Sequence, residues 1–518
     1  MSESTAVIRG PAEIRFSARN LTFLGLLIGL VLATVVAGRL SDVAFFAVAG
    51  ALLATFAYAA YRAPRLVIML LAFTPLVDRY LIGVMVPNQL QGWASYLSES
   101  LLFLAGIVIL VLGVQRGTIV AAFRHPVFYG LCAFVVIGVV SALVNAVPPA
   151  VAAAGITFTI DAAALYFLPR IVGFERREVL IVVVAFVVVA TVAALLALGQ
   201  VLLRPDILGL ASSQGRFGEG ARVGSFLNGN PNMLGAILAL AIPFPVFAIF
   251  RLAGRWRALA AGVAFVLILA LFFTFSRGAW LGLALAMVVV GALVDRRAIL
   301  ALLVLGVLAY GTAHVMPRHI FATQAESSQL ELDMEDAIIG RISAIGAGND
   351  LRVLFIQNAT PIVRDHPLVG AGPGRWGGAV SSHFTSPLWD RYTDGRVPEV
   401  CPAAGEAGAC VGRTVDDFWL HILVEFGILG ALLLVAVLAA AGTEILRAAR
   451  RTNGYERVLL AGSAAAVIVL GVDSISEMLL EGNTSSFVMW LFLGLGSAMV
   501  MTQRRMAIRA APGSPPSV

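Results

Sequence analysis

The sequence predicts an all-α polytopic membrane protein with about 12–14 transmembrane helices and one large extracytoplasmic helical cap. Of its residues, 59% are hydrophobic and only 13% are charged, and the mean hydropathy is +0.92. Apolar runs of about 20 residues recur along the whole chain, and arginines concentrate in every second connection between them. This composition excludes a soluble domain and points to the lipid bilayer as a partner, with no nucleic-acid partner expected.

Fourteen apolar runs are long enough to cross a bilayer as helices. The predicted spans are 21–38, 43–61, 66–84, 96–114, 126–145, 151–169, 179–203, 232–250, 258–275, 279–295, 298–316, 414–446, 456–474 and 484–502.

The distribution of arginine sets the predicted orientation. All 36 basic residues are arginines, and 22 of them fall in the two tails and the short loops that an inward-facing N-terminus places inside, which leaves 14 outside. Because positive residues favour the cytoplasmic side, both termini are predicted to be cytoplasmic. The protein is therefore expected to be a multi-pass membrane protein, and the resemblance described below implies that its membrane is a bacterial inner (plasma) membrane.

The chain divides by composition into membrane segments, a cap and two tails. Residues 1–20 are expected to form a cytoplasmic basic tail, and residues 503–518 a disordered cytoplasmic tail. Spans 1–11 occupy 21–316 and spans 12–14 occupy 414–502, so that residues 317–413 form an extracytoplasmic cap loop. A connection of that length is usually functional or disordered, and its apolar and aromatic residues favour a small helical cap.

Two cysteines lie in the cap, within "CPAAGEAGAC". In an oxidising periplasm Cys401 and Cys410 are able to form a disulfide, which would act as a staple. Two free thiols on a mobile loop are the alternative, and the disulfide is favoured.

Arg277 poses the main question of the sequence, because it interrupts the apolar stretch "FFTFSRGAWLGL". An unpaired arginine at the bilayer centre costs roughly 2.5–3.5 kcal/mol on insertion scales. The predicted topology places Arg277 between two spans at the outer boundary, where Ser276 and Gly278 suit a tight turn. There it either snorkels to the headgroups or takes part in a site.

Other arginines on the outer face favour the second alternative, in which Arg277 belongs to an anion-binding site. Guanidinium groups bind phosphate and pyrophosphate through paired hydrogen bonds, so a cluster of them suits a diphosphate. For each arginine taken alone, a solvated loop charge is the competing interpretation. The candidates besides Arg277 are Arg216, Arg222, Arg352 and Arg375, and Asn232 opens the span that follows Arg222.

Four segments resemble, in order and spacing, signatures of the O-antigen ligase and polymerase superfamily. They are "GSFLNGNPNMLGAILALAIPF", "FTFSRGAWLGL", "DHPLVGAGPGRW" and "VDDFWLHILVEFGILGALLL", and the resemblance covers roughly residues 200–440. It implies a metal-independent, GT-C-like glycosyltransferase without a cofactor. Such an enzyme acts on glycans carried by undecaprenyl pyrophosphate at the outer side of the inner membrane, with a sugar or other glycan as acceptor.

The resemblance also implies roles for individual residues. Arg222 and Arg277 match the two arginines thought to hold the lipid-linked pyrophosphate, and Arg352 matches an arginine common in the cap. Ligases carry a histidine before the span that ends in Gly-x-x-Gly, whereas alignment on "EFGILG" puts Asp416 at that site. This departure puts lipid A–core ligation in doubt and favours polymerisation.

Asp416 has two interpretations. It is either a base for the acceptor hydroxyl or the N-cap of its helix, with Asp417 then facing solvent. His421, five residues beyond Asp416, is expected to point elsewhere.

Three features outside the arginine cluster carry further expectations. Asp473, Glu477 and Glu481 are predicted to form an acidic stripe on one helix, which faces the cavity or pairs with Arg277. "GPGRWG" fits Gly-x-Gly-x-x-Gly but follows no predicted strand, so it does not indicate a dinucleotide site. The histidines have no spacing that places two ligands on one helix face, and no metal is assigned.

A transporter or flippase for lipid-linked glycan or another anion is the alternative function. It predicts charges near the bilayer midplane and broken helices in paired halves. A purely structural scaffold is a third option, and it predicts arginines that tolerate substitution.

Overall fold

The structure is a computed structural model that describes residues 18–71, 73, 97–203, 223, 231–315, 351–378, 380–381, 386–392, 415–481 and 484–510. These residues are almost entirely helical, and they contain no strand longer than an isolated bridge residue. The helices are α1 (Ala18–Leu40), α2 (Asp42–Arg62), α3 (Pro64–Leu71), α4 (Leu97–Gln115), α5 (Ile119–Phe123), α6 (Pro126–Val144), α7 (Pro149–Ile160), α8 (Ala164–Val172), α9 (Arg176–Leu203), α10 (Pro231–Ala241), α11 (Pro243–Ala248), α12 (Gly254–Thr274), α13 (Arg277–Val294), α14 (Arg297–Val315), α15 (Leu351–Asp365), α16 (Pro387–Tyr392), α17 (Phe418–Arg451), α18 (Gly454–Asp473) and α19 (Thr484–Ala510).

Twelve spans in the described part of the chain are long and apolar enough to cross a membrane, and Glu99–Gln115 is a shorter apolar helix. Together they coincide with thirteen of the fourteen predicted spans, which confirms the all-α polytopic fold. Of the remaining predicted span, 66–84, residues 66–71 belong to α3 and residue 73 is described; the others lie outside the described residues. The last helix continues to Ala510, beyond the predicted end of its span.

Helix α19 lies at the centre of the bundle. Nearly all of its span is buried, and it packs against α8, α17 and α18. Helix α18 in turn runs along α13 and α17, whereas α14 has most of its apolar surface exposed, as expected for a helix that faces lipid. The four helices α13, α17, α18 and α19 thus form the framework on which the site is built.

Helix α17 is interrupted at Gly427, whose φ of 67° and ψ of −173° are not helical. The segment 366–378, which we call the glycine loop, supplies hydrogen bonds to the backbone groups around the interruption. Its amides donate to the helix carbonyls before the break, and its carbonyls accept from the helix amides after it, so the polar groups are satisfied within protein. The four bonds are Ala371 N–Val424 O at 2.8 Å, Gly372 N–Glu425 O at 3.2 Å, Ile428 N–Pro367 O at 3.0 Å and Leu429 N–Leu368 O at 3.2 Å.

Side chains at the end of helix α6 donate hydrogen bonds to the backbone where the glycine loop meets the interruption in α17. Asn145 Nδ2 donates to Gly370 O at 2.9 Å, and Ser141 Oγ donates to Glu425 O at 3.2 Å. No side chain fits at Gly370, because a Cβ there would meet the α17 backbone and its φ is 77°. The sequence segments "HPLVGAGPG" and "EFGILG" are therefore two halves of one structural unit.

A buried polar cluster ties the helices together near their opposite ends. Glu444 of α17 accepts a hydrogen bond from Ser497 Oγ at 2.6 Å and one from Tyr166 OH at 3.2 Å. Its Oε2 also lies 3.2 Å from His125 Nε2 and 3.7 Å from an Arg170 nitrogen. Because these side chains come from α8, α17, α19 and the start of α6, one carboxylate fixes the spacing of four helices.

Candidate functional site

Several helix ends meet at one end of the bundle, which we call the capped end. They are the starts of α10, α13, α17 and α19 and the end of α18, together with the glycine loop. Phe418 N donates to Ser474 O at 3.0 Å and Trp419 Nε1 donates to Gly471 O at 2.7 Å, which joins the start of α17 to the end of α18. Four helix N-termini at one place create a favourable environment for negative charge.

Arg277 lies at the capped end as the first residue of α13, immediately after the predicted turn. The left-handed residue of that turn is Phe275, with φ 50°, and not a glycine. Gly278 is required for a different reason: a Cβ at this position would collide with the Asp473 carboxylate and with Ser476 Oγ. The close approach of α13 to α18 thus brings Asp473 beside the residue that follows Arg277.

The segment 473–481, which we call the acidic loop, carries three buried carboxylates. The prediction of a helical stripe is wrong, because α18 ends at Asp473 and the chain then turns. Asp473, Glu477 and Glu481 are nevertheless 0%, 6% and 6% exposed. Burial of three acids at the end of a membrane helix indicates that they face partners inside the protein.

Each carboxylate of the acidic loop contacts a different sequence motif. Asp473 packs against Gly278 of "FSRG", and Glu477 accepts a hydrogen bond from Asn232 of "NGNPN". Glu481 Oε2 lies 3.1 Å from Nε2 of His421, within "VDDFWLH". The loop thus joins three motifs that are separated by up to 189 positions in sequence, from 232 to 421.

His421 is buried at the centre of these contacts, with 1% of its surface exposed. Its Nδ1 lies 2.6 Å from the carbonyl oxygen of Trp376 in the glycine loop. Gly378 covers the imidazole ring, and a Cβ there would lie 2.6 Å from Cε1 and 2.8 Å from Glu481 Oε1. The sequence analysis expected His421 to point away from the site. The signal in the sequence that could have identified it is its position near the start of an otherwise apolar helix.

The glycine loop binds a carboxylate of the protein itself. The backbone amides of Gly374 and Trp376 donate to Oε2 and Oε1 of Glu425, each at 2.6 Å. Gly374 adopts φ 75°, which lets the two amides point the same way. The Gly-x-Gly-x-x-Gly pattern therefore serves to hold Glu425, which is fully buried.

Arg375 is half-buried in the same loop. One of its guanidinium nitrogens donates to Asn145 O at 3.3 Å and to Ala371 O at 3.2 Å. Burial lowers the pKa of Arg375, and the nearby Glu425 carboxylate acts in the opposite direction. Arginine has five N–H donors and stays charged in proteins, so these two bonds leave donors for a ligand.

The two aspartates before α17 have different roles. Asp417, and not Asp416, is the N-cap: its side chain accepts from Leu420 N at 3.0 Å. Asp416 is exposed. The interpretation of Asp416 as the N-cap is therefore wrong, as is the expectation that Asp417 is the solvent-facing member, because the cap bond orients Asp417 toward the helix.

Several predicted site residues cannot be placed. Arg216, Arg222, Cys401 and Cys410 lie outside the described residues, as does the side chain of Arg352, whose backbone begins α15. Val223, which follows Arg222, is buried, and its N–H donates to Phe273 O at 3.1 Å. Phe273 lies in the last turn of α12, four residues before Arg277. In the described ranges, no group of three or more His, Cys, Asp or Glu residues is arranged to hold a metal ion.

The helices and their order define a multi-pass all-α membrane protein. Residues 262–435 match the family model described as O-antigen ligase, which confirms the resemblance to that superfamily; three of the four sequence motifs fall within the match, and the one at 224–244 lies before it. The members of that family are glycosyltransferase-like enzymes.

Other comparisons add little. No curated protein matches the chain. One solved structure, described as "Structural coordination of polymerization and crosslinking by a peptidoglycan synthase complex", aligns with 73% of this chain and 97% of its own, at 15% identity and a TM-score of 0.36. A likeness at this level supports no conclusion about the chain.

Proposed function

We propose that the protein is a membrane glycosyltransferase of the O-antigen ligase and polymerase type. It transfers or polymerises a polyprenyl-pyrophosphate-linked oligosaccharide at the outer face of the bacterial inner membrane, in surface polysaccharide biosynthesis. Arg277 and Arg222 hold the donor diphosphate, and Asp416 acts as base or orienter for the acceptor. Further contacts to the substrates come from Arg352, Arg216, Arg375 and Asn232.

The observation that carries this proposal is the convergence of the motifs on the acidic loop. Gly278, Asn232 and His421 belong to three segments that resemble the same family, and each contacts a carboxylate of residues 473–481. If these motifs only stabilised separate membrane helices, they would not be expected to lie together at one end of the bundle. Their meeting supports one shared site that includes Arg277.

The chemistry expected of such a site fits its charges. When the bond from the sugar to the diphosphate breaks, negative charge develops on the departing oxygen, and guanidinium groups together with helix N-termini stabilise it. Of the two arginines, Arg277 is at the start of α13, at the capped end.

The test is reconstitution of the full chain in vesicles with a polyprenyl-pyrophosphate oligosaccharide. Wild type is expected to form longer glycan or to transfer the glycan to an added acceptor. Arg277→Ala is expected to reduce the rate by about 10²-fold or more, because a group that stabilises the leaving charge is lost. Arg391→Ala is the matched control, since Arg391 is exposed and lies over the ring of Tyr392. Equal rates for the two variants would reject the site.

Two interruptions of the helices favour a second candidate, a flippase for the same lipid-linked glycan. The span Pro149–Val172 is broken by a 3₁₀ turn at Asp161, midway along it, and α17 is broken at Gly427. A flippase moves labelled lipid-linked glycan between leaflets and leaves the glycan length unchanged. The same vesicles distinguish the two functions, because only the transferase changes the product.

The proposed orientation has its own test. With both termini cytoplasmic, a reporter that works only in the cytoplasm is active when fused to either end. A reporter fused after residue 481 should be inactive, because the acidic loop is proposed to face outward.

A further inference from the structure

We propose that Glu481 takes the proton from the acceptor hydroxyl, and that His421 is a positioning residue that holds the Glu481 carboxylate in place. The proposal rests on the proposed function and names the proton acceptor of that same site. It assigns to Asp416 the role of orienting the acceptor.

The hydrogen bond at Nδ1 fixes the state of the His421 ring. A carbonyl oxygen only accepts, so the 2.6 Å contact to Trp376 O requires a proton on Nδ1. Nε2, on the other side of the ring, is then the atom whose protonation changes. It faces Glu481 Oε2 at 3.1 Å.

The contact between His421 Nε2 and Glu481 Oε2 differs from a well-aligned structural ion pair. Nε2 is buried and lies 3.1 Å from Oε2, within hydrogen-bond distance but without the alignment of a good hydrogen bond. Hydrogen bonds used in catalysis are often poorly aligned without substrate and tighten when it binds.

Glu425, by contrast, has the geometry of a structural carboxylate. Both of its oxygens accept short bonds from backbone amides, and its Oε1 is 3.8 Å from Nδ1 of His421. Glu425 therefore positions the glycine loop and the ring, and Glu481 remains the carboxylate for chemistry. Glu481 also lies in a loop at the capped end, whereas Glu425 lies within the helix.

Asp416 is a weaker choice for the proton acceptor. It is exposed, so water solvates its carboxylate and competes with the acceptor hydroxyl. Glu481 is 6% exposed and lies on the loop that contacts the motifs of Arg277 and Asn232. A base in a site closed to water is more effective at a given distance.

The proposed step transfers the sugar from the diphosphate to the acceptor and the acceptor's proton to Glu481. The acceptor hydroxyl oxygen forms a bond to C1 of the donor sugar while the bond from C1 to the diphosphate oxygen breaks. The electron pair of that bond leaves with the diphosphate, next to Arg277, and the hydroxyl proton passes to the Glu481 carboxylate. Release of the proton to water restores the carboxylate.

Further charged groups lie near the pair formed by His421 and Glu481. On α17, Glu425 lies on the other side of the His421 ring from Glu481. Arg375 of the glycine loop interacts electrostatically with Glu425. From the broken span, Asp161 interacts electrostatically with Glu481. Removal of the His421 side chain takes away the contact that positions the Glu481 carboxylate.

The experiment compares Glu481→Gln and His421→Gln with wild type in the reconstituted full chain. Glu481→Gln is expected to lower kcat by about 10²–10⁴-fold, as loss of a general base does, with donor KM little changed. His421→Gln is expected to lower kcat less, again with donor KM little changed, because only the placement of the Glu481 carboxylate is disturbed. Glu178→Gln is the control at the other end of the bundle, where Glu178 pairs with Arg65, and it should behave as wild type.

Three results would overturn the proposal: a normal kcat for Glu481→Gln, a loss of donor binding that accounts for its whole defect, or a normal kcat for His421→Gln. If Glu481→Gln does not fold, Glu481→Asp keeps the charge and draws it back by one methylene. Its kcat should fall by about 10-fold or more, because misplacement by an ångström is costly, and a normal kcat would also refute the idea. If wild type itself transfers no glycan, the proposed function fails; if wild type is active and Glu481→Gln matches it, only this inference fails.

Discussion

Replacing Glu425 by glutamine should destabilise the protein strongly, because this carboxylate holds the glycine loop against α17. Its two oxygens accept hydrogen bonds of 2.6 Å from the amides of Gly374 and Trp376, and it is fully buried. Glutamine offers one oxygen and one NH₂ group, so one amide loses its acceptor and faces another donor. Losing one charge-assisted bond costs about 1.5–3 kcal/mol and leaving one buried donor unsatisfied costs about 1–3 kcal/mol, so about 3 kcal/mol or more is expected.

The assay is reversible unfolding of the full chain in mixed micelles, followed by helix content. Asp365→Asn is the control, because Asp365 also accepts a 2.6 Å hydrogen bond, from Tyr392 OH, but at an exposed position. The control should stay within about 0.5 kcal/mol of wild type. A Glu425→Gln protein as stable as the control would refute the role of this carboxylate in holding the loop.

Three further predictions test other parts of the protein. Arg277→Lys should lose most glycan transfer, because an ammonium group cannot bind a diphosphate through paired hydrogen bonds; polymer of normal length on a gel would contradict this. Glu444→Gln should lower the free energy of unfolding by about 3 kcal/mol, because a buried ion pair loses one partner, and the same micelle assay checks it. Cys401 and Cys410 should resist alkylation in native membranes until a reductant is added; immediate labelling would show two free thiols.

The membrane architecture could be predicted from sequence because each span carries its own signal. A run of about 20 apolar residues is a local property, and so is the arginine content of the connection that follows. Arg277 at the start of α13 followed from the same local reasoning. The residue that carries the turn did not, because Phe275 is held in the left-handed region by its surroundings rather than by its own preference.

The construction of the site could not be predicted, because its contacts join distant parts of the chain. His421 and Glu481 are 60 positions apart, and the hydrogen bonds around Gly427 come from a loop more than 50 residues earlier. Helical spacing suggested a stripe of three acids, but the helix ends at the first of them. Burial of the other two depends on α10 and α17, which no local pattern reveals.

The position of the acidic loop explains why motif reasoning alone stops short of the chemistry. The family match ends at residue 435, whereas the carboxylates that contact its motifs lie at 473–481. A segment matched up to 435 therefore includes Gly278 and His421 but lacks the carboxylates that contact them. Because buried polar groups need partners, these acids are part of the same unit as the matched segment. Variants of Asp473, Glu477 or Glu481 should consequently impair glycan transfer as severely as variants within the matched segment.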